Sequence, residues 1–435
     1  MRQTNISLNC LLTTCFLFLA VVLALPGSGY AQGSTGYVPD EVLVKLRDTS
    51  DLQGVAEQYN LSEQPLDQFP SHQIFRLKIL DSTAPAEMIS RLLTDEGDRI
   101  LYAEPNYLVQ SPENTEEFWT VGQSWTVGQS WTVGQSWTVG ASISGNSLWF
   151  RQRIKLEEAQ RITSGAGVTV AVLDTGVDRN HFALTPQLVN GFDFVDFDND
   201  PSEVGIPGVN PGYGHGTHVA GLVAAVAPQA KILPIRVANE NGVGNVWNLV
   251  LALRYAATVV DPDGNPETND SVRVINLSLA MPRQSRLLSE TISGITCGEN
   301  SPCFAKDGRG IVVIAAAGNS GVAVPEYPAA TQNVPGLLAV AATNQSDRRA
   351  AFSTYGNWVQ VGAPGVRVVS TVPGNLFAAW SGTSMAAPLV AGKAALILSR
   401  YPAFKASDAT NHIVLKSDSI TGDVQKRINL YEAVK

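Results

Sequence analysis

Three short stretches of this chain hold the residue types of a nucleophile and its activating base. Asp174 closes the apolar run Val170-Ala171-Val172-Leu173 and is followed by Thr175-Gly176. His215 lies in Gly214-His215-Gly216-Thr217-His218-Val219-Ala220-Gly221, and Ser384 in Ser381-Gly382-Thr383-Ser384-Met385-Ala386-Ala387-Pro388. A serine hydroxyl attacks poorly until a base takes its proton, and an imidazole does so best when a carboxylate fixes its tautomer. Asp, then His, then Ser is one of the chain orders in which that trio occurs. A fourth stretch, Ala315-Ala316-Ala317-Gly318-Asn319-Ser320, ends an apolar run with an amide able to donate to a developing oxyanion. Taken singly each has a plainer account: Asp174 as a helix cap, His218 as the competing base or a structural histidine, Gly382-Thr383-Ser384 as an ordinary turn. A zinc reading of the two histidines is weak, because Gly216 stands where a zincin helix has Glu.

These residues need rigid elements beneath them. Apolar runs without a polar face occur at 168–173, 232–237, 272–277, 311–316 and 337–342, as in strands of a parallel sheet covered on both sides. Helical spacing falls between them at 215–226, 246–259 and 284–295, and again at 383–400. The alternation predicts an α/β fold, a three-layer sandwich around a mainly parallel sheet. Asp174 and Asn319 then sit at the carboxyl ends of strands, where such folds keep their sites. Upstream, strand patterns at 41–46 and 73–79 and one ending at 101–106, with helical spacing at 51–60 and 85–94, predict a small α+β unit over 37–110.

With their flanking residues the motifs closely resemble the subtilisin-like (subtilase) serine proteases, from about residue 37 to 435. The resemblance implies that Asp174 orients His215, that His215 is general base and then acid, and that Ser384 is the nucleophile. It implies an oxyanion hole from Asn319 and the Ser384 N–H. It also implies that Ser278, Leu279 and Ala280 face Ala316, Ala317 and Gly318 across the first specificity pocket. Gly242 and Gly244 would form the other edge that pairs with an extended protein or peptide substrate. The family usually has Gly at the place of Ala280, and the added methyl narrows the pocket. Neither wall carries a charge, so broad specificity with a preference for apolar residues is expected. No cofactor is implied for the chemistry, although subtilases often bind a structural calcium. Residues 37–110 resemble the family's inhibitory propeptide, including Ala103-Glu104-Pro105-Asn106-Tyr107, with the cut shortly after Tyr107. The remainder of the organisation follows: a signal peptide over 1–31, a linker over 111–146 and a peptidase domain over 147–435.

The bulk properties agree with a secreted enzyme precursor. Of 435 residues, 44% are apolar and 16% charged, and the net charge is −9, which argues against nucleic acid as a partner. Arg2, the apolar run 11–25 and the small residues Gly29-Tyr30-Ala31 read as a signal peptide, leaving no membrane association after its removal. Cys10 and Cys15 leave with it. Cys297 and Cys303 then form a disulfide by default in an oxidising compartment, with free thiols or a half-built metal site as the alternatives. Trp-Thr-Val-Gly-Gln-Ser repeats start at Trp119, Trp125 and Trp131, and a variant copy at Trp137; a duplicated linker is the simplest account. Asp196, Asp198 and Asp200 have the spacing of a calcium loop, but Pro201 and Pro207 replace its central Gly and closing Glu. A solvated acidic loop fits them better.

Rival chemistries fit poorly. An aspartic protease needs a second Asp-Thr-Gly, and an α/β-hydrolase would draw on Asp408 and His412, with Ala386 in place of the last elbow Gly. A non-catalytic protein on the same fold, or a ligase or cyclase using the same acyl-enzyme, stays open at this level.

Overall fold

The computed structural model describes residues 36–95, 98–111, 148–258, 271–297, 302–305 and 308–435. The segment expected to be a signal peptide and the Trp repeats lie outside these residues. Among the described residues no helix is long and apolar enough to cross a membrane.

The N-terminal unit runs β1 (Tyr37–Leu46), α1 (Leu52–Tyr59), β2 (Asp67–Phe69), β3 (Ile74–Lys78), α2 (Pro85–Leu92) and β4 (Ile100–Gln110). The strands form an antiparallel sheet in the order β2-β3-β1-β4. Its two faces have different neighbours. Val42, Val44, Leu46, Phe75 and Leu77 pack on Val55, Met88 and Leu92 of the unit's own helices. Leu43, Ile74 and Tyr102 join the core of the larger unit. Alternation in β1 predicts a half-buried strand; in the structure both faces are covered, because the docked neighbour buries the second one.

The larger unit opens with α3 (Trp149–Arg153) and α4 (Leu156–Gln160) and continues through β5 (Thr169–Asp174), β6 (Phe192–Asp193), α5 (His215–Val226), β7 (Lys231–Arg236), β8 (Val243–Asn245) and α6 (Val246–Thr258). Next come β9 (Val272–Leu277), α7 (Arg286–Thr296), β10 (Val312–Ala316), β11 (Leu337–Thr343), β12 (Val361–Pro364) and the hairpin β13 (Val368–Val372) and β14 (Leu376–Trp380). The chain ends with α8 (Thr383–Arg400), α9 (Ala406–Leu415), β15 (Ser417–Ser419), β16 (Lys426–Ile428) and α10 (Leu430–Val434). Nine strands form one sheet, ordered β15-β16-β12-β11-β10-β9-β5-β7-β6. All its pairings are parallel except β15 with β16.

Helices cover both faces, as the unbroken apolar strands require. Val170, Val172, Ile314 and Val340 face α5 and α8 on one side. Leu173, Leu233, Ile275 and Val313 face α6 and α7 on the other. Small residues let the first pair of helices come close: a Cβ on Gly392 of α8 would overlap the Val226 side chain of α5. Cys297 and Cys303 are bonded, with Cα atoms 4.4 Å apart, which selects the disulfide among the alternatives above.

Candidate active site

Asp174 ends β5 and His215 opens α5, and the two meet directly. His215 Nδ1 donates to Asp174 Oδ1 at 2.6 Å, and the Thr175 N–H donates to the same oxygen at 2.8 Å. An imidazole that donates through Nδ1 keeps Nε2 as its basic nitrogen. Gly216 makes the approach feasible, since a Cβ there would strike the Gly176 carbonyl and lie 3.0 Å from the Asp174 Cβ. Behind this pair sits Glu203, a residue with no marker in the sequence beyond an acidic neighbourhood. Its Oε1 accepts from Thr175 Oγ1 at 2.7 Å; its Oε2 accepts from Thr217 Oγ1 at 2.8 Å and the Thr217 N–H at 3.2 Å. The carboxylate therefore ties the residue after Asp174 to the turn after His215. Burial, helped by the charge of Asp174 and opposed by these hydrogen bonds, pushes its pKa up to about 7.

Ser384 occupies the first turn of α8. Pro388 lacks the N–H that would bond the Ser384 carbonyl, and Ser278 Oγ donates to that carbonyl instead, at 3.0 Å. The Ser384 hydroxyl is buried and donates to the Ser278 carbonyl at 3.3 Å. It does not bond His215 in this arrangement; such contacts commonly tighten only around bound substrate. His215 and Ser384 nonetheless head two helices that pack on each other. Trp380, four residues before Ser384, lies 6.4 Å from the His215 ring, centroid to centroid. Asn319 follows β10 through Gly318, whose φ of +103° suits glycine. The Asn319 Oδ1 accepts from both the N–H and Oγ1 of Thr383, each at 2.9 Å. Fixing the oxygen end this way gives the amide's donating end the opposite direction. Thr383, which the sequence hides in a common turn, thus orients Asn319.

His218 is excluded as the competing base. It is fully enclosed, stacks on Trp380 at 4.7 Å, and its Nε2 donates to the Ala378 carbonyl at 3.2 Å. Burial drives its pKa down to about 3. Asp408 and His412 serve α9, at the Lys405 N–H and the Ala433 carbonyl respectively.

The tail of the N-terminal unit runs between the two edges expected to hold substrate. Leu108, Val109 and Gln110 pair antiparallel with Asn245, Gly244 and Val243. On the other side Gln110 exchanges both main-chain hydrogen bonds with Ala280, at 3.0 and 2.7 Å, and Ser111 donates to the Gly242 carbonyl at 3.0 Å. Leu279 and Ala316 turn their side chains into the core, so their part in the groove is played by main chain. Two side chains dock the same unit on helix N-termini. Glu104 accepts from Ser285 Oγ and the N–H groups of Arg286 and Leu287 at the start of α7, at 2.7, 2.7 and 3.2 Å. Asn106 Oδ1 accepts from the Trp247 N–H of α6 at 3.0 Å. Each satisfies donors that a helix leaves open at its start.

The acidic stretch does not present a calcium site. Arg236 Nη1 bonds Asp193 Oδ2 at 2.7 Å and Asp196 Oδ2 at 2.5 Å. Main-chain N–H groups of Val195 and Asp196 take Asp193 Oδ1, while Asp198 and Asp200 accept from the Asp200 N–H and Ser202 Oγ. A guanidinium fills the position a cation would take. Among the described residues no group of three or more His, Cys, Asp or Glu is arranged to hold a metal ion.

Comparison with known proteins returns the same architecture. The model of the subtilase family matches residues 165–429, and that of the fervidolysin N-terminal prodomain matches residues 26–106. Thermitase of Thermoactinomyces vulgaris is 37% identical over 298 residues, covering 65% of this chain and 94% of that protein. Subtilisin Savinase of Lederbergia lenta is 37% identical over 275 residues, covering 61% and 89%. The crystal structure of fervidolysin from Fervidobacterium pennivorans superposes with a TM-score of 0.69 over 94% of this chain, at 24% identity. This chain spans 62% of the length of that structure.

Proposed function

The chain belongs to the subtilase family of serine proteases and carries a fervidolysin-like prodomain, and from that premise we propose that it is a secreted, self-processing endopeptidase precursor. Its residues divide the work as follows. Ser384 attacks the carbonyl carbon of the scissile bond, and His215 Nε2 takes the hydroxyl proton and later delivers it to the leaving amine. Asp174 stabilises the imidazolium so formed. Asn319 and the Ser384 N–H hold the tetrahedral oxyanion, and water then releases the acyl group from Ser384. Substrate lies as an extended strand between Gly242–Gly244 and Ser278–Ala280, a mode that tolerates many sequences because main chain supplies the bonds. Uncharged walls at Ser278–Ala280 and Ala316–Gly318 give apolar side chains, and the aliphatic stems of longer ones, a surface to cover before the cut.

The observation that carries this reading is the course of β4. The prodomain's last strand runs between the two edges proposed to hold substrate and makes main-chain hydrogen bonds to both, to Val243–Asn245 on one side and Ala280 on the other. Residues 37–110 accordingly act as the inhibitory propeptide, 111–146 as the linker that is cut and 147–435 as the peptidase, after export by the signal 1–31. The test compares the precursor with its Ser384→Ala form, following self-cleavage near residue 110 by mass spectrometry and digestion of casein. Processing and digestion only in the unaltered chain are expected; equal behaviour of the two defeats the assignment.

A further inference from the structure

One nearly buried carboxylate beside the groove has no part in the chemistry above. Glu326 is 6% exposed, and its Oε1 accepts one hydrogen bond, from Thr354 Oγ1 at 2.7 Å. Among the described residues no Lys, Arg or His forms an ion pair with it. Thr354 is itself fixed: its hydroxyl meets the Ser320 N–H at 3.1 Å and Ser320 Oγ at 2.8 Å, and its own N–H donates to the Gly318 carbonyl at 2.9 Å. A hydroxyl has a single hydrogen to give, so the one on Thr354 goes to Glu326 while Ser320 donates to Thr354.

The position of this carboxylate is set by both walls of the first pocket. A Cβ on Gly318 would overlap the Glu326 carboxyl group, so the acid lies flat against the wall 316–318. Tyr327, the next residue, exchanges both main-chain hydrogen bonds with Met281 at 2.8 Å each, and Met281 directly follows the wall 278–280. Glu326 therefore sits where the two walls are bridged. A carboxylate almost removed from water and given one hydroxyl donor is under-compensated. A side chain with an aliphatic stem and a terminal cation would remedy that, its stem covering apolar wall and its head reaching the acid.

We propose that Glu326 is a specificity-determining residue that makes the pocket accept Lys or Arg before the scissile bond, alongside apolar residues. It rests on the peptidase reading above. An acidic residue at that place is rejected by like charge.

The test uses the processed enzyme and its Glu326→Gln and Glu326→Asp forms on peptide anilides that differ only before the bond, with Lys, its apolar isostere norleucine, or Glu. In the unaltered enzyme kcat/KM for Lys should equal or exceed that for norleucine, and Glu should be worst. Glu326→Gln should lower the Lys-to-norleucine ratio about tenfold and improve Glu, while Glu326→Asp keeps part of the ratio. Equal labelling of all forms by a fluorophosphonate checks that the variants are folded. Strong preference of the unaltered enzyme for norleucine over Lys overturns the proposal, as does a variant that changes Lys and norleucine alike. No turnover of any substrate and no labelling would bring down the peptidase reading as well.

Discussion

Four helices start near the groove, and their N-termini are treated in two ways. On one face of the sheet α5 and α8 begin at Gly214 and Gly382, neither of which offers a capping side chain. On the opposite face α6 and α7 begin under Asn106 and Glu104, supplied by a different part of the chain. Open N–H groups and the helix dipole favour negative charge in either place. Within the first pair the catalytic unit supplies its own acceptors, Glu203 for the Thr217 N–H and Asn319 for the Thr383 N–H. In the mechanism proposed above only the Ser384 N–H of α8 is kept for charge that appears during reaction. The second pair is taken up in holding the prodomain. One physical device thus separates chemistry from restraint, and variants can probe the two ends independently.

Ser384→Ala should show the largest effect, a loss of about 10⁶ in kcat, with the prodomain still docked when checked by size-exclusion of the uncut chain. Asn319→Ala should lower kcat by about 10²–10³ while KM changes little; a drop confined to KM would take Asn319 out of the oxyanion hole. Glu203→Gln acts on stability through pH. A carboxyl whose pKa rises from 4.5 to about 7 on folding holds its proton more firmly in the folded state. Stability therefore falls as pH increases across that window and levels off above it. The Gln form should lose this decline, worth at most on the order of 3 kcal/mol, in denaturant titrations at several pH values; an unchanged slope would locate the titration elsewhere. Glu104→Ala should be the mildest, weakening prodomain docking by about 1 kcal/mol and hastening the onset of activity while leaving kcat of the processed enzyme intact. A reduced kcat there would break the division drawn above.

Most of the frame could be read from the chain itself, because unbroken apolar runs such as Val312–Ala316 leave a buried parallel strand little alternative. α5 and α8 begin and end where their spacing and glycines place them. The hairpin β13–β14 carries no clear signal in the chain: Val368–Val372 and Leu376–Trp380 are short, and their partners lie on α5, where Ser370 and Thr371 hydroxyls donate to the His218 and Thr217 carbonyls. At the site, the residues proposed to react stand out through their glycine-rich surroundings. Their supports did not, since the roles of Thr383, Glu203 and Glu326 come from contacts across 64, 14 and 28 positions of chain. No local pattern encodes such reach.

The strand β8 has a consequence of its own. It is the fifth member of a sheet whose other four strands all belong to the prodomain, so excision of that unit strips β8 of its neighbour and leaves its backbone donors and acceptors facing solvent. An edge in that condition attracts any extended chain. On the processing proposed above, maturation would do more than unblock an opening: it would manufacture the docking rail, and every later guest would rebuild the lattice that the precursor first completed with part of itself.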